Sequence, residues 1–191
     1  SQTRQIESSN ELIDLLKNQS KSQISKLMSL SEKLSELNFD RFQKFHLPFT
    51  LKNAKQAILA FKGDVYNGIN APDLTNEDLE FAQGKVRMLS GLYGVIRPLD
   101  LIQPYRLEMG TKLSNEKGND LYDYWGSDIS NVLNDDESDL IVNLASNEYF
   151  KAIDQSTLKA NILDIVFKEK KGDAYKVCLL YTSPSPRDLR K

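Results

Sequence analysis

The sequence predicts a single α+β domain, a mixed sheet with flanking helices behind a helical N-terminal part. Three observations carry that expectation. Up to Phe45 the apolar residues recur at helical spacing. Further on, short apolar runs such as Leu140 to Ala145 are bounded by turn residues, as strands are. Helices and strands then interleave without strict β-α-β alternation and without internal repeats, which argues against a doubly wound sheet.

The elements follow in order. Leu12, Leu15 and Leu16 form a first helical stripe behind a cap at Ser9 or Asn10. Ile24, Leu27 and Met28 form a second, and Leu34, Leu37, Phe39, Phe42 and Phe45 a third. Ser20, Ser29 and Ser31 mark the joints, and Pro48 closes the region. Asn53 to Phe61 fits a helix or a buried strand equally, and Gly63-Asp64 marks a turn. Thr75-Asn-Glu-Asp78 starts a helix that runs towards Lys85 or Ser90, and Val86 to Leu89 offers a strand leading into Gly91. Ser127 to Leu133 is a short capped helix, Leu140 to Ala145 a buried strand, and Ser146 the cap of a helix through Ile153. Ile162 to Lys168, a turn at Lys171-Gly172-Asp173 and Ala174 to Val177 predict a β-hairpin.

Composition narrows the function. With 191 residues, 40% hydrophobic and 27% charged, the chain can bury a sizeable core as one domain. Its apolar runs are too short to span a membrane. The single cysteine is Cys178, so residues 1–177 hold no disulfide, no thiol nucleophile and no Cys-ligated metal, which fits the cytoplasm. The formal net charge is −2, so nucleic acid would need a local basic patch.

Four motifs stand out. Arg87 to Gly110 packs two spaced glycines, two prolines and three arginines into one stretch. Leu89-Ser-Gly91-Leu-Tyr-Gly94-Val resembles the glycine turn of a helix-hairpin-helix, in which backbone N–H groups face a phosphate. Here two residues separate the glycines where the usual turn has one. On that reading Arg87, Gly91, Gly94, Arg97 and Arg106 contact nucleic acid. The competing reading is an ordinary tight turn, with the arginines paired to Asp100 and Glu108. Phe61-Lys-Gly-Asp-Val-Tyr66 and Asn143 to Lys151 each end an apolar run in a charged turn. They supply a candidate pocket of Lys62, Asp64, Glu148 and Lys151. Tyr122-Asp-Tyr-Trp125 is better suited to core packing than to base stacking. One histidine, His46, cannot build a two-His-one-carboxylate triad. An all-carboxylate set of Asp64, Asp100, Glu108 and Glu148 has nothing to motivate it, so neither a metal site nor any other cofactor is named.

In order along the chain, Ala57 to Tyr66, Arg87 to Gly110, Asp120 to Gly126 and Asn143 to Lys151 resemble the YaaA family of bacterial peroxide stress-resistance proteins, from about Ser1 to Val177. The resemblance implies a cytoplasmic stress protein that limits iron-driven damage, with DNA, double-stranded or distorted, as its partner. The alternative is an enzyme of unknown reaction on a nucleotide or another phosphate-bearing small molecule, its pocket gathering Lys62, Asp64, Arg97, Arg106 and Glu148. The sequence decides neither between these nor on an oligomeric state. The resemblance also implies an N-terminal strand with a Ser-Pro-Ala-Lys motif and a basic C-terminal motif, neither of which is present in this sequence, so the domain over residues 1–177 is expected to be incomplete at both ends. Cys178 to Asp188 looks like a translated sequencing-adapter end, and residues 178–191, with a net charge of +2, are expected to be a non-native tail.

Overall fold

Three helices make up the N-terminal part, α1 (Ile6–Lys17), α2 (Lys21–Met28) and α3 (Glu32–Lys44). The computed structural model describes residues 1–166, 168–171 and 174–177, the side chains of Asp64, Val65 and Asn67 and of most of the last two segments excepted. The expectations for the Gly172-Asp173 turn and for the tail, Cys178 to Lys191, lie outside the described residues. Leu12, Ile13 and Leu16 of α1 are fully buried, as the stripe requires. The helix begins at Ile6, ahead of the expected caps. Ser9 is not a cap because it faces the core, with its hydroxyl donating to the Gln5 carbonyl one turn back at 2.9 Å. Ser20 does cap α2, in a reciprocal pair with Gln23: the Gln23 N–H donates to Ser20 Oγ and the Ser20 N–H to Gln23 Oε1. Ser29 closes α2 in the left-handed conformation, and Ser31 precedes α3.

The ambiguous run from Asn53 to Phe61 divides. Its start is a strand, β1 (Lys55–Gln56), and its end a single helical turn, α4 (Ala57–Ala60). β1 pairs antiparallel with β4 (Leu101–Ile102), and the first α4 amides donate to the carbonyls of Asp100 and Pro98. Long-range partners thus decide what a short apolar run could not. α5 (Asp64–Ile69) and a 3-10 turn (Ala71–Asp73) lead to α6 (Asn76–Lys85), capped by Thr75 and Asp78 as expected.

The centre of the fold is the antiparallel hairpin of β2 (Met88–Ser90) and β3 (Gly94–Ile96). Its turn is enclosed: Leu92, Tyr93 and Ile96 are fully buried, and Val95 nearly so. Behind it stand α7 (Leu121–Trp125) and α8 (Asp128–Asn134), where Trp125 and Ile129 are also fully buried. The expectation that the aromatic run packs into the core therefore holds. β5 (Leu140–Asn143), α9 (Asn147–Phe150), β6 (Asn161–Asp164), β7 (Lys168–Lys171) and β8 (Ala174–Val177) complete the chain. Among the described residues the strands form one parallel pair, β5–β6, and three antiparallel pairs, and this is the mixed pairing of the α+β class.

Two expectations about this last part are corrected. Ile162 to Asp164 does not belong to the C-terminal hairpin. It pairs in parallel with β5, and the hairpin is β7–β8. β5 is also not a buried strand: Leu140, Val142 and Leu144 are all exposed, because among the described residues its outer face has no covering layer.

The central hairpin leaves no room for a side chain at its first glycine. A Cβ on Gly91 would lie 2.5 Å from the Leu107 carbonyl oxygen and 3.1 Å from the Glu108 carbonyl carbon, both backbone. Gly91→Ala should lower stability by about 3 kcal/mol in urea unfolding. Gly84→Ala is the control, since Gly84 lies in α6 with open space at its Cβ position. That change should raise stability by up to about 1 kcal/mol.

Candidate functional site

The stretch that was expected to grip phosphate is not a helix-hairpin-helix. Gly91 to Tyr93 is the turn of the β2–β3 hairpin, and its amides point inward. The N–H groups of Leu92 and Tyr93 donate to Ser90 Oγ, and that of Val95 to Gln5 Oε1. Gly94, at φ +66°, turns the chain under Trp125, whose indole N–H donates to the Gly91 carbonyl at 3.1 Å. With these donors spent inside the protein, Gly91 and Gly94 serve the tight turn of the competing reading.

The three arginines also have protein partners. Arg87 Nε sits 2.5 Å from Asp136 Oδ2, and its Nη atoms donate to the carbonyls of Gln83, Gly84 and Val86 at the end of α6. Arg4 takes the other Asp136 oxygen at 2.6 Å. Burial pushes the Asp136 carboxyl up, but the two guanidiniums outweigh it and hold its pKa below the ordinary value. Arg97 binds Asp100, which is fully buried and also receives the Ser1 hydroxyl. Arg106 differs. Its Nη2 donates to Glu108 Oε1 at 2.9 Å, but its Nε is enclosed with no partner.

On either side of Arg106 in the chain, contacts of Tyr105 and Gly110 join parts of all four motifs. Phe61, next to Lys62, lies edge-on to Tyr105 at 6.4 Å between ring centroids and stacks on Tyr66 at 5.2 Å. Tyr105 meets Tyr93 edge-on at 5.1 Å, with its hydroxyl 2.5 Å from Ser90 Oγ. Glu148, at the start of α9, accepts the Gly110 N–H at 2.9 Å. Tyr122 donates to the Glu148 carbonyl, and the Lys151 ammonium lies 4.5 Å above the Tyr122 ring. Lys62 is exposed, with no partner among the described residues, and the side chain of Asp64 lies outside them. Arg97 and Arg87, tied to Asp100 and Asp136, are not joined to this cluster.

Sequence reasoning named the charged members and missed the tyrosines. Burial raises the pKa of Tyr66, of Tyr93 against an opposing backbone hydrogen bond, and of Tyr149, where Glu148 and Glu108 add to it. The Tyr105 phenol is raised well above the ordinary value, through burial first and then Tyr149. A signal was present, since Tyr66, Tyr105 and Tyr149 each stand within four residues of a charged group already singled out. Among the described residues no three His, Asp or Glu side chains come together as a metal-ligating group, and no helix is long and apolar enough to cross a membrane.

Tyr122 and Tyr124 rise as well, again first through burial. In all six the fold favours the neutral phenol. Their stabilising effect is therefore complete below the unfolded value near 10 and is lost as pH climbs through the raised folded values. An alkaline titration followed at 295 nm should show these six ionising above pH 10, together with loss of near-UV circular dichroism. Six phenols ionising reversibly near pH 10 in the folded state would contradict the enclosure described.

Comparison with known proteins agrees with the motifs. Residues 1–183 match the family described as peroxide stress protein YaaA. A UPF0246 protein of Albidiferax ferrireducens is 54% identical over 175 residues, covering 90% of this chain and 68% of that one. Another UPF0246 protein, from Acaryochloris marina, is 55% identical over 168 residues, covering 87% and 67%. By the span of the family match and the closeness of these relatives, the chain belongs to the YaaA family of peroxide stress proteins.

Proposed function

We propose that this peroxide stress protein binds a phosphate-bearing small molecule, a nucleotide or a related anion, at the cluster around Arg106, and acts on it in the cytoplasm to limit iron-driven damage. The observation that carries the reading is the Arg106 guanidinium, anchored by Glu108 through one nitrogen and left with an enclosed, unpartnered Nε. A forked cation whose Nε has no protein partner suits a phosphate or carboxylate oxygen. Glu148 holds the Gly110 amide two residues past Glu108, the Tyr149 phenol interacts with Glu148 and Glu108, and Lys151 lies over the Tyr122 ring beside them. Neutral phenols at working pH act as hydrogen-bond donors and not as bases. DNA contact through the glycine turn is the weaker reading, because the donors it needs are bonded within the protein.

Thermal shift with inorganic phosphate, AMP and ATP tests the proposal, beside salt-titrated binding of a short duplex. Phosphate compounds should raise Tm. Arg106→Ala should abolish the rise, while Arg97→Ala should keep it after allowance for its own lower baseline. A duplex affinity whose salt slope falls by about one unit in both Arg97→Ala and Arg106→Ala, with no shift from small phosphates, would favour DNA contact instead.

A further inference from the structure

The parallel pair β5–β6 leaves one face bare. Residues in register in a parallel ladder share a face, so Val142 and Leu163 stand side by side. By the same alternation Leu140 and Leu144 extend the row on one strand and Ile165 on the other. These five aliphatic residues are 53, 49, 64, 47 and 40% exposed in the order Leu140, Val142, Leu144, Leu163 and Ile165. The opposite face is occupied: Ile141 packs on the core, and Asn143 Nδ2 donates to Asp164 Oδ1 at 2.7 Å. Parallel strands ordinarily lie covered on both faces. A contiguous apolar patch of this kind, on the order of 400 Å², is of the size that marks an interface. Among the described residues β5 and β6 pair only with each other, so their outer edges are open as well.

The relatives supply a cover. The matched 175 residues make up 68% of the Albidiferax ferrireducens protein, which leaves about 80 of its residues outside the match. That length suffices for several helices or strands with their connections. We propose that this face is a docking surface for that outlying part of the family chain, an apolar segment of which lies across Leu140, Val142, Leu144, Leu163 and Ile165 in the full-length proteins. The segment covers from within one chain what this face exposes, so no second copy is required.

Cysteine accessibility tests this. Val142→Cys is made in this chain on a Cys178→Ser background, and a cysteine is placed at the aligned position of the full-length Albidiferax ferrireducens protein on a cysteine-free background. Leu163→Cys and its counterpart serve as the second pair if the first folds poorly. Reaction with a thiol reagent should be at least tenfold slower in the full-length protein. Equal rates in the two would overturn the proposal. So would protection that appears in this chain only as its concentration rises and is absent from the full-length protein, since the occupant would then be a second copy.

Discussion

The fold depends on one close approach. At Gly91 the turn of the β2–β3 hairpin presses against the backbone of Leu107 and Glu108, and Trp125 caps it through a hydrogen bond to the Gly91 carbonyl. Nothing with a Cβ fits there, and a Cβ on Gly94 would run into Gln5 and Trp125. That contact joins the N-terminal helices, the central hairpin and the Tyr105 to Gly110 segment. It sets where Arg106 and Glu108 stand. The glycines of the longest motif therefore bear on function indirectly, by letting the segment that carries the candidate site rest directly on the core.

The arginines illustrate how pairing redistributes a charge pattern. Read along the sequence, Arg87, Arg97 and Arg106 look equivalent, three cations beside turns. In three dimensions Arg87 closes the end of α6 and shares Asp136 with Arg4, and Arg97 folds back on a carboxylate three residues away. Of the three, Arg106 alone has an enclosed nitrogen, Nε, without a partner among the described residues. An anion binding at Arg87 or Arg97 would have to displace a partly or fully buried carboxylate, leaving an uncompensated charge behind. Binding at Arg106 breaks no hydrogen bond at Nε, though the groups that enclose that nitrogen must move aside for an anion to reach it.

Local signals carried most of what was legible in the sequence. The three N-terminal helices, the capping pairs at Ser20 and Thr75, the strand after Val86 and the burial of Trp125 each rest on spacing or chemistry within a few residues. What was not legible depended on partners far along the chain. Ser9 reads as a cap until its hydroxyl is seen bonded inside α1. Ile162 to Asp164 fits a hairpin with Ala174 to Val177 by proximity, yet β5, some twenty residues earlier, takes it in parallel. At the candidate site, Phe61, Tyr105 and Glu148 belong to motifs whose meeting no periodicity encodes. The enclosure that raises the tyrosines comes from packing among all of them.

The candidate site and the bare sheet face are mechanically linked. β5 runs into α9 through only Leu144 to Ser146, and α9 carries Glu148 in its first turn. Glu148 in turn holds the Gly110 amide, two residues from the Glu108 that anchors Arg106. Any layer that fixes β5 from outside therefore also restrains the α9 end of this chain of contacts. A two-stranded parallel ladder open on one face is a weak support, because most stability in such pairs comes from burial on both faces. A charged site needs its groups held within a fraction of an ångström, by surroundings more rigid than the groups themselves. In this chain the glycine-tight hairpin lies beneath Tyr105 to Gly110, the more rigid side of the candidate site. The other side, Glu148 with Tyr149 and Lys151 on α9, is tied to how firmly β5 and β6 are held, because α9 follows β5 directly.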